Sequence, residues 1–330
     1  MNNYKVKFAG VSMSVPDKVL TNADLEKMVD TSDEWIRTRT GMVERRITDE
    51  NTAASDLSYK AIEKLFKTVD IKQKDIDLII VATISPDHLF PSTACILQKK
   101  LGLPPVPAFD LSAGCTGFIY AVTIAKRFIE CGMSKNALVI GVELLTKITD
   151  WTDRNTCVLF GDGAGAAILT KAKKGEISEI VDTYINADGK YGDLLYMPAG
   201  GSRMPATTYT VKKNLHTLRM EGNKIFKAAV KAMGDAAVTI LQRNGLTGED
   251  IDWLIPHQAN LRIIDATARR IKLPPQKVII NIEKYGNTSS ATIPMAFAEA
   301  VEDGRIRRGD MVLLDAFGAG FTWGSVLLRY

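Results

Sequence analysis

The stretch Ala113-Gly114-Cys115-Thr116-Gly117 decides how this sequence is interpreted. It stands between an apolar run at 106–111 and a segment, 118–129, whose apolar residues recur at helical spacing. This order predicts a strand, a tight turn and a helix, and small residues at such a turn let one side chain stand exposed at the end of a sheet. The dipole at the start of the helix favours the thiolate of Cys115. A thiolate can accept an acyl group as a thioester, whereas the alternative is a buried structural cysteine.

An internal repeat gives the architecture. Residues 75–80 (DIDLII) resemble residues 250–255 (DIDWLI), and Gly114-Cys115-Thr116 is matched with Gly286-Asn287-Thr288. Each matched triplet precedes a long helix, then a strand, then a glycine-rich turn. Two copies of an α/β unit are therefore predicted, and the alternation of strands and helices predicts mostly parallel sheets.

The repeat divides the chain into two predicted halves, residues 1–175 and 176–330. Residues 21–50 are predicted to be a helical insertion in the first half, because Thr31-Ser32-Asp33-Glu34 is a capping box and Gly41 marks a helix end. Residues 186–217 are rich in Gly, Pro, Thr and Lys. They are predicted to connect the halves, partly as loop.

Composition excludes several classes of function. The chain has 330 residues and a net charge of only +4, and we find no RNA-binding or zinc-ligand pattern, so we expect no nucleic-acid partner. Its four cysteines show no CxxC spacing, which argues against a disulfide framework. No signal-like N-terminal core and no long apolar run is present, so we expect no membrane partner and a cytoplasmic location.

His257 and Asn287 are the other candidate catalytic residues. His257 follows an apolar strand that ends at Pro256, and ligand sites of open α/β sheets lie at this end of a strand. Asn287 has the ordinary interpretation of a turn or capping residue. If the halves pack about a pseudo-two-fold axis, however, Cys115 and Asn287 begin equivalent helices and converge with His257. His88 and His216 are interpreted as structural or solvated.

Three segments together resemble a known family. Residues 110–118, 256–262 and 285–290 are similar to the three signatures of β-ketoacyl-acyl-carrier-protein synthase III, and 31–36 and 317–324 are also typical of it. The similarity covers almost the whole chain, with the motifs in the expected order. It implies a thiolase-like α/β fold: two duplicated halves with mostly parallel sheets, packed about a pseudo-two-fold axis in αβαβα layers. It also implies a homodimer.

The resemblance implies an acyltransferase that initiates type II fatty acid synthesis. Cys115 would take the acyl group of an acyl-coenzyme A primer, acetyl or short or branched. Malonyl-acyl carrier protein would then lose CO2, and its carbanion would attack the acyl-cysteine to give 3-oxoacyl-acyl carrier protein. His257 and Asn287 would donate hydrogen bonds to the enolate, and the backbone N–H groups of Cys115 and Ala319 would form the oxyanion hole. The family often has glycine where Ala319 stands, but a methyl group leaves the N–H in place.

The resemblance also implies binding residues. An indole can stack on adenine and arginines can pair with phosphates, so coenzyme A binding is carried over to Trp35, Arg39, Arg154, Phe226 and Asn260. Carrier-protein binding is carried over to Gln258, Ala259, Asn260, Leu261 and Arg262. Arg269, Arg270 and Lys272 recur at roughly helical spacing after Arg262; they are either a docking patch for an acidic carrier protein or an ordinary solvated face. Phe90 would cross the dimer interface and limit the neighbouring acyl pocket. No cofactor and no metal is expected, because acyl-coenzyme A is a substrate.

Several other functions compete with this interpretation. A thiolase needs a second, C-terminal cysteine, and none follows Cys157. Elongating synthases use two histidines, whereas only His257 fits here. Plant-type polyketide synthases and hydroxymethylglutaryl-coenzyme A synthases lack the Trp35-bearing insertion as written here. A Cys-His-Asn hydrolase and a non-catalytic carrier-binding protein remain alternatives from other classes. The choice of primer is left open by the sequence.

Overall fold

The structure, a computed structural model, describes residues 4–330. The strands are β1 (Val6–Ser14), β2 (Val19–Thr21), β3 (Glu44–Arg46), β4 (Leu78–Ala82), β5 (Ala108–Leu111), β6 (Asn136–Leu144), β7 (Asp162–Lys171), β8 (Glu179–Ala187), β9 (Leu195–Tyr196), β10 (Arg219–Met220), β11 (Trp253–Pro256), β12 (Met311–Gly318) and β13 (Thr322–Arg329). The helices are α1 (Asn22–Leu25), α2 (Asp33–Thr40), α3 (Ala54–Phe66), α4 (Thr93–Lys100), α5 (Gly117–Glu130), α6 (Arg154–Cys157), α7 (Thr208–Lys212), α8 (Gly222–Arg243), α9 (Leu261–Arg270), α10 (Ile282–Tyr285) and α11 (Thr292–Glu302). Short 3-10 turns, Gly114–Thr116 and Ser289–Ala291, precede α5 and α11.

Two large sheets repeat one topology. The first has the strand order β5-β4-β6-β7-β1 and the second the order β11-β12-β13-β8. Val278 forms a parallel bridge with Leu254 of β11, where β5 pairs with β4 in the first sheet. The predicted duplication is therefore visible in the strand order itself.

Both sheets are mixed. Parallel pairing joins β5, β4 and β6 in the first sheet and β11 and β12 in the second. The pairs β6–β7 and β12–β13, and the outer strands β1 and β8, are antiparallel. Ala319-Gly320-Phe321 joins β12 directly to β13, and a connection this short permits only antiparallel strands. Parallel pairing is thus less extensive than the alternation of strands and helices predicts.

The layers follow the expected αβαβα order. Helix α3 packs on the outer face of the first sheet and α8 on the outer face of the second, while α5 contacts strands of both sheets and lies between them with α11. One buried cluster joins the halves: the ring centroid of Phe297 lies 5.5 Å from that of Phe8 and 5.0 Å from that of Tyr330. The division at residues 175 and 176 stays a prediction; it falls in the turn between β7 and β8.

The structure corrects the register of the repeat. Leu78 and Trp253 begin equivalent strands, and Gly114 and Ser289 begin equivalent turns; both pairs are 175 residues apart (253 − 78 and 289 − 114). Gly114 and Ser289 also share a left-handed backbone, with φ of +52° and +49°. The counterpart of Cys115 is therefore Ser290 and not Asn287, which lies just before the second turn.

The insertion is helical, and the short strands β2 and β3 pair antiparallel on either side of α1 and α2. Ser32, and not Thr31 of the predicted capping box, caps α2 by accepting the Trp35 N–H at 3.1 Å; α2 ends at Gly41 with φ of +86°, as predicted. The side chain of Arg45 in β3 is buried and donates to the Asn22 Oδ1 at 2.8 Å and to the Val158 carbonyl at 2.8 Å. The segment 186–217 contains a 3-10 turn, β9 and α7 between loops.

Candidate active site

Cys115 lies in the turn before α5, and backbone from the second half packs closely against it. A Cβ on Gly114 would lie 2.8 Å from the Ala319 nitrogen, and one on Gly318 would lie 2.6 Å from the Cys115 nitrogen. Only glycine permits this approach. Within residues 4–330, neither Cys115 nor Ala319 donates its backbone N–H to another residue. Both residues line the same cavity.

That cavity has a volume of about 250 Å³ and a mainly apolar lining. Its walls include Ile84, Leu145, Ile148, Phe160, Leu195, Met197 and Leu218. Burial raises the pKa of the Cys115 thiol to about 12. Burial thus acts against the thiolate that the helix start was expected to favour, because desolvation penalises the charged form. The thiol must lose its proton when it reacts.

His257 follows β11 and is buried. Its backbone N–H donates to the Asp315 carbonyl at 2.8 Å, and its Nδ1 lies 2.7 Å from the Thr292 Oγ1. The same Thr292 hydroxyl reaches the Ser289 carbonyl at 2.9 Å. Burial lowers the pKa of His257 to about 3, so the imidazole is neutral at physiological pH.

Asn287 is held by three hydrogen bonds. Its backbone N–H donates to the Leu159 carbonyl at 2.9 Å, its carbonyl accepts the Gly161 N–H at 3.1 Å, and its Oδ1 accepts the Ser289 N–H at 2.8 Å. Since Oδ1 is occupied, the side chain offers its Nδ2 as a donor.

Ser289 connects the three predicted catalytic residues. Its hydroxyl stabilises the thiolate form of Cys115, its N–H fixes Asn287, and its carbonyl shares Thr292 with His257. The structure thus brings Cys115, His257 and Asn287 together around one residue that sequence reasoning did not single out.

Glu143 is the second residue that sequence reasoning missed. It lies near the end of β6, buried, and accepts hydrogen bonds from the Ser85 Oγ at 2.6 Å, the Ser289 Oγ at 3.2 Å and the Ile84 N–H at 3.1 Å. Burial raises its pKa to about 7 despite these bonds. A lone carboxylate inside the otherwise apolar segment 137–145 was the available signal.

The residues predicted to bind coenzyme A form two groups. The Arg154 guanidinium lies 4.7 Å and that of Arg39 5.5 Å from the Trp35 ring centroid. The Arg262 guanidinium lies 4.9 Å from the Phe226 ring centroid. Arg262 therefore contacts a residue assigned to coenzyme A, although it was assigned to the carrier protein.

One predicted carrier contact is wrong. Gln258 is buried, and its amide donates to the Pro256 carbonyl at 2.7 Å and accepts the Asn281 N–H at 3.1 Å, so it is not available to a partner. Asn260 is half-buried: its Oδ1 caps α9 and its Nδ2 donates to the Arg39 carbonyl at 2.8 Å. Ala259 and Leu261 are also half-buried, and Arg262 is exposed.

The remaining predicted residues lie away from this centre. Phe90 is 85% exposed in a loop beside Leu89, 84% exposed. His88 is exposed, and the His216 Nε2 lies 3.0 Å from the Thr210 Oγ1, which is consistent with a structural role. All four cysteines are free in the structure.

The described residues contain neither a metal-binding cluster nor a membrane-spanning helix. No group of three His, Cys, Asp or Glu side chains within 4–330 could hold a metal ion. Over the same range, no helix combines the length and apolar character needed to cross a membrane. The expectation that the chain needs no cofactor stays a prediction.

Comparison with known proteins gives a consistent result. Residues 109–189 match the family model for 3-oxoacyl-[acyl-carrier-protein (ACP)] synthase III, and residues 241–330 match the model for its C-terminal part. The chain is 56% identical over 321 residues to the β-ketoacyl-[acyl-carrier-protein] synthase III of Caldanaerobacter subterraneus, covering 97% of this chain and 96% of that one. It is 51% identical to the protein of the same name from Natranaerobius thermophilus, over the full length of both.

The solved structures agree with the sequences. The crystal structure of 3-oxoacyl-[acyl-carrier-protein] synthase III from Aquifex aeolicus superposes with a TM-score of 0.91 at 46% identity, covering 98% of this chain and 100% of that one. The duplicated fold, the buried Cys115 turn and the full-length similarity lead to one conclusion: the chain belongs to the β-ketoacyl-acyl-carrier-protein synthase III family of thiolase-fold enzymes.

Proposed function

We propose that this enzyme initiates type II fatty acid synthesis by a decarboxylative Claisen condensation. An acyl-coenzyme A primer acylates Cys115, and malonyl-acyl carrier protein then supplies the two-carbon nucleophile. The products are 3-oxoacyl-acyl carrier protein, coenzyme A and CO2. The observation that carries the proposal is the meeting of Cys115, His257 and Asn287 around Ser289, because two neutral donors beside a nucleophile suit both half-reactions.

The first half-reaction uses the turn before α5. The thiolate of Cys115 attacks the primer thioester. The developing oxyanion accepts hydrogen bonds from the backbone N–H groups of Cys115 and Ala319. These two N–H groups have no other acceptor within residues 4–330. The apolar cavity of about 250 Å³ beside the thiol receives the acyl chain. Its lining suits a short hydrocarbon, acetyl or branched.

The second half-reaction uses the neutral donors. Loss of CO2 leaves an enolate on the donor thioester, which His257 Nε2–H and Asn287 Nδ2–H stabilise. Thr292 has one hydroxyl proton and two acceptors in reach, His257 Nδ1 and Ser289 O. When that proton goes to Nδ1, the imidazole carries its own proton on Nε2, as the enolate requires.

Coenzyme A binds at the mouth of the cavity. The adenine stacks on the Trp35 ring, and because Arg154 covers that ring at 4.7 Å, its guanidinium moves to form the other side of the stack. Arg39 is exposed beside it and pairs with phosphate. Phe226 and Asn260 also contact coenzyme A; Asn260 donates to the carbonyl of Arg39, and Phe226 lies against Arg262. No cofactor is needed, since every reacting group belongs to a substrate or to this chain.

The carrier protein docks on the surface of α8 and α9 through its acidic groups. Arg262, Arg269 and Lys272 are exposed on α9 or just after it, and Lys227 and Lys231 are exposed on the adjoining α8. Arg270 contributes less, because it pairs with Asp235 at 3.1 Å. This surface steers an anionic partner. Ala259 and Leu261 position the start of α9 beside it.

The enzyme works as a cytoplasmic homodimer, with no nucleic-acid or membrane partner. The exposed pair Leu89 and Phe90 supports this assembly, because large apolar side chains side by side on a surface indicate an interface. Phe90 of each protomer limits the acyl pocket of the other.

The function is tested by product analysis after incubation with acetyl-coenzyme A and malonyl-acyl carrier protein. The enzyme should form 3-oxoacyl-acyl carrier protein, and labelled acetyl-coenzyme A alone should leave stoichiometric label on the Cys115 peptide. Cys115→Ser should lose both, while Cys157→Ser, at a buried cysteine outside the cavity, should keep both. Free acid without condensation product would indicate a hydrolase, and carrier binding without label a non-catalytic protein. Competition among acetyl-, isobutyryl- and isovaleryl-coenzyme A then identifies the preferred primer.

A further inference from the structure

Glu143 is a buried carboxylate without a cation. Within residues 4–330 its partners are hydroxyl groups and one backbone N–H: Thr83 at 3.3 Å, Ser85 at 2.6 Å, Ser289 at 3.2 Å and the Ile84 N–H at 3.1 Å. A buried carboxylate that lacks a positive partner is costly to stability. Such groups are found where a protein needs a proton to be held or moved.

Ser289, which joins Glu143 to the catalytic cysteine, has a strained backbone. Its φ is +49°, a conformation that its repeat counterpart achieves with Gly114 at +52°. A non-glycine residue in this region is strained. The strained backbone places the Ser289 hydroxyl between Glu143 and Cys115. Ser289 donates to the Glu143 Oε1. It also lines the cavity with Cys115 and hydrogen-bonds the sulfur when the thiolate forms.

We propose that Glu143 is the proton acceptor for Cys115 in the acylation half-reaction and that the Ser289 hydroxyl relays the proton between them. Ser289 lines the same cavity as the reacting sulfur of Cys115, and Glu143 acts through its hydrogen bond from Ser289. This inference rests on the proposed function for its biological purpose, but the proton transfer itself requires only the three residues.

The transfer balances in protons and charge. The Cys115 S–H bond breaks as its proton passes to the Ser289 Oγ, the electron pair stays on sulfur, and the original Ser289 proton passes to the Glu143 Oε1. The negative charge moves from carboxylate to thiolate. The thiolate then forms the S–C bond to the primer, and the C–S bond to coenzyme A breaks with its electron pair on the leaving sulfur. That sulfur takes back the proton from Glu143.

The other titratable groups of the site are less suited to this task. His257 is neutral, its Nδ1 is occupied by Thr292, and burial lowers its pKa to about 3, so it is a weak base. Burial raises the pKa of Glu143 to about 7 and that of Cys115 to about 12. A general base is most effective when its pKa lies near the working pH.

The test is the pH dependence of Cys115 alkylation by iodoacetamide, which needs neither substrate. In the wild type the alkylation rate should rise with pH to an inflection near the Glu143 pKa of about 7 and then level, because only the carboxylate accepts the proton. In Glu143→Gln the rate at pH 7.5 should fall by about 10²-fold. The inflection should vanish, leaving a rate that rises steadily with hydroxide up to about pH 9.

Two further variants separate relay from structure. Ser289→Gly relieves the backbone strain and removes only the hydroxyl, so it should lose the inflection as Glu143→Gln does. Asp162→Asn changes another buried carboxylate held by hydroxyl groups, those of Thr48 and Thr146, and should keep the wild-type profile. An inflection that persists in Glu143→Gln or in Ser289→Gly overturns the proposal. A protein that condenses no substrate but shows these profiles would contradict the proposed function alone.

Discussion

Two helical turns occupy the same place in the repeated fold and have different chemistry. Gly114–Thr116 begins α5, and Ser289–Ala291 begins α11, each with a first residue in the left-handed region. The first turn presents the Cys115 thiol and a backbone N–H. The second presents the Ser289 hydroxyl and is flanked by Asn287 and Thr292, which hold the neutral donors of the site.

The strand end that packs against each turn differs in the same way. Gly318 of β12 packs on the Cys115 turn, and Glu143 of β6 accepts a hydrogen bond from the Ser289 turn. These residues are counterparts, again 175 apart (318 − 143). The duplicated fold therefore has two equivalent helix starts and two equivalent strand ends with different side chains. These differences suit the first to the covalent catalysis proposed for Cys115 and the second to polar positioning.

The largest expected effect is a loss of condensation when the neutral donors His257 and Asn287 are removed while the Cys115 turn is left intact. His257→Ala and Asn287→Ala should each lower condensation by about 10²-fold or more, the loss typical of one oxyanion donor. Both should still acquire acyl label from acyl-coenzyme A, because the thiol and its N–H donors are intact. Normal decarboxylation of malonyl-acyl carrier protein by both variants would contradict the assigned roles.

A smaller effect is expected at Thr292, which acts through His257. Thr292→Val removes the hydroxyl that leaves the His257 proton on Nε2 when it donates to Nδ1 instead of to the Ser289 carbonyl. Condensation should fall about 10-fold, the value of one hydrogen bond of about 1.4 kcal/mol, with acylation unchanged. Thr292→Ser should restore the wild-type rate. If valine is tolerated as well as serine, the imidazole tautomer is set by another group.

The next prediction concerns the surface outside both turns. Arg262→Glu should raise the Michaelis constant for malonyl-acyl carrier protein by about 5-fold, because it reverses a charge on the docking surface. The wild-type constant should also rise with ionic strength, and the mutant's should respond less. Lys60→Glu, an exposed charge reversal on α3, is the matched control. Impaired acylation with unchanged carrier binding would assign Arg262 to coenzyme A, consistent with its contact to Phe226.

The smallest expected effect is at Ala319. Ala319→Gly keeps the backbone N–H and should change the acylation rate by less than about 2-fold, since the donor and not the methyl group stabilises the oxyanion. Acylation kinetics measured with acetyl-coenzyme A alone check this. A loss of 10-fold or more would mean that the methyl group holds the turn in place.

Much of the fold and part of the site could be predicted from the sequence. The repeated segments 75–80 and 250–255 predict the two sheets, and the glycine-flanked Cys115 predicts its turn. The predicted register of the repeat was wrong because Asn287 follows a glycine, as Cys115 does. The true counterpart of Gly114 is Ser289. Its left-handed backbone could not be recognised from the sequence, because the residue is not a glycine. Glu143 was missed, and Gln258 was assigned to the carrier protein, for one reason: their burial depends on contacts with residues distant in the chain, such as Ser85 and Ser289 for Glu143 and Asn281 for Gln258.

We expect the first turn to bind and react with the acyl group, and the second turn to position the donors that stabilise the malonyl-derived enolate. The most direct test is CO2 release from labelled malonyl-acyl carrier protein by Cys115→Ala, with His257→Ala and the wild type alongside. Cys115→Ala should release CO2 while forming no condensation product. His257→Ala should release CO2 at least about 10²-fold more slowly than the wild type. Loss of CO2 release in Cys115→Ala, with the variant folded, would contradict the division between the two turns.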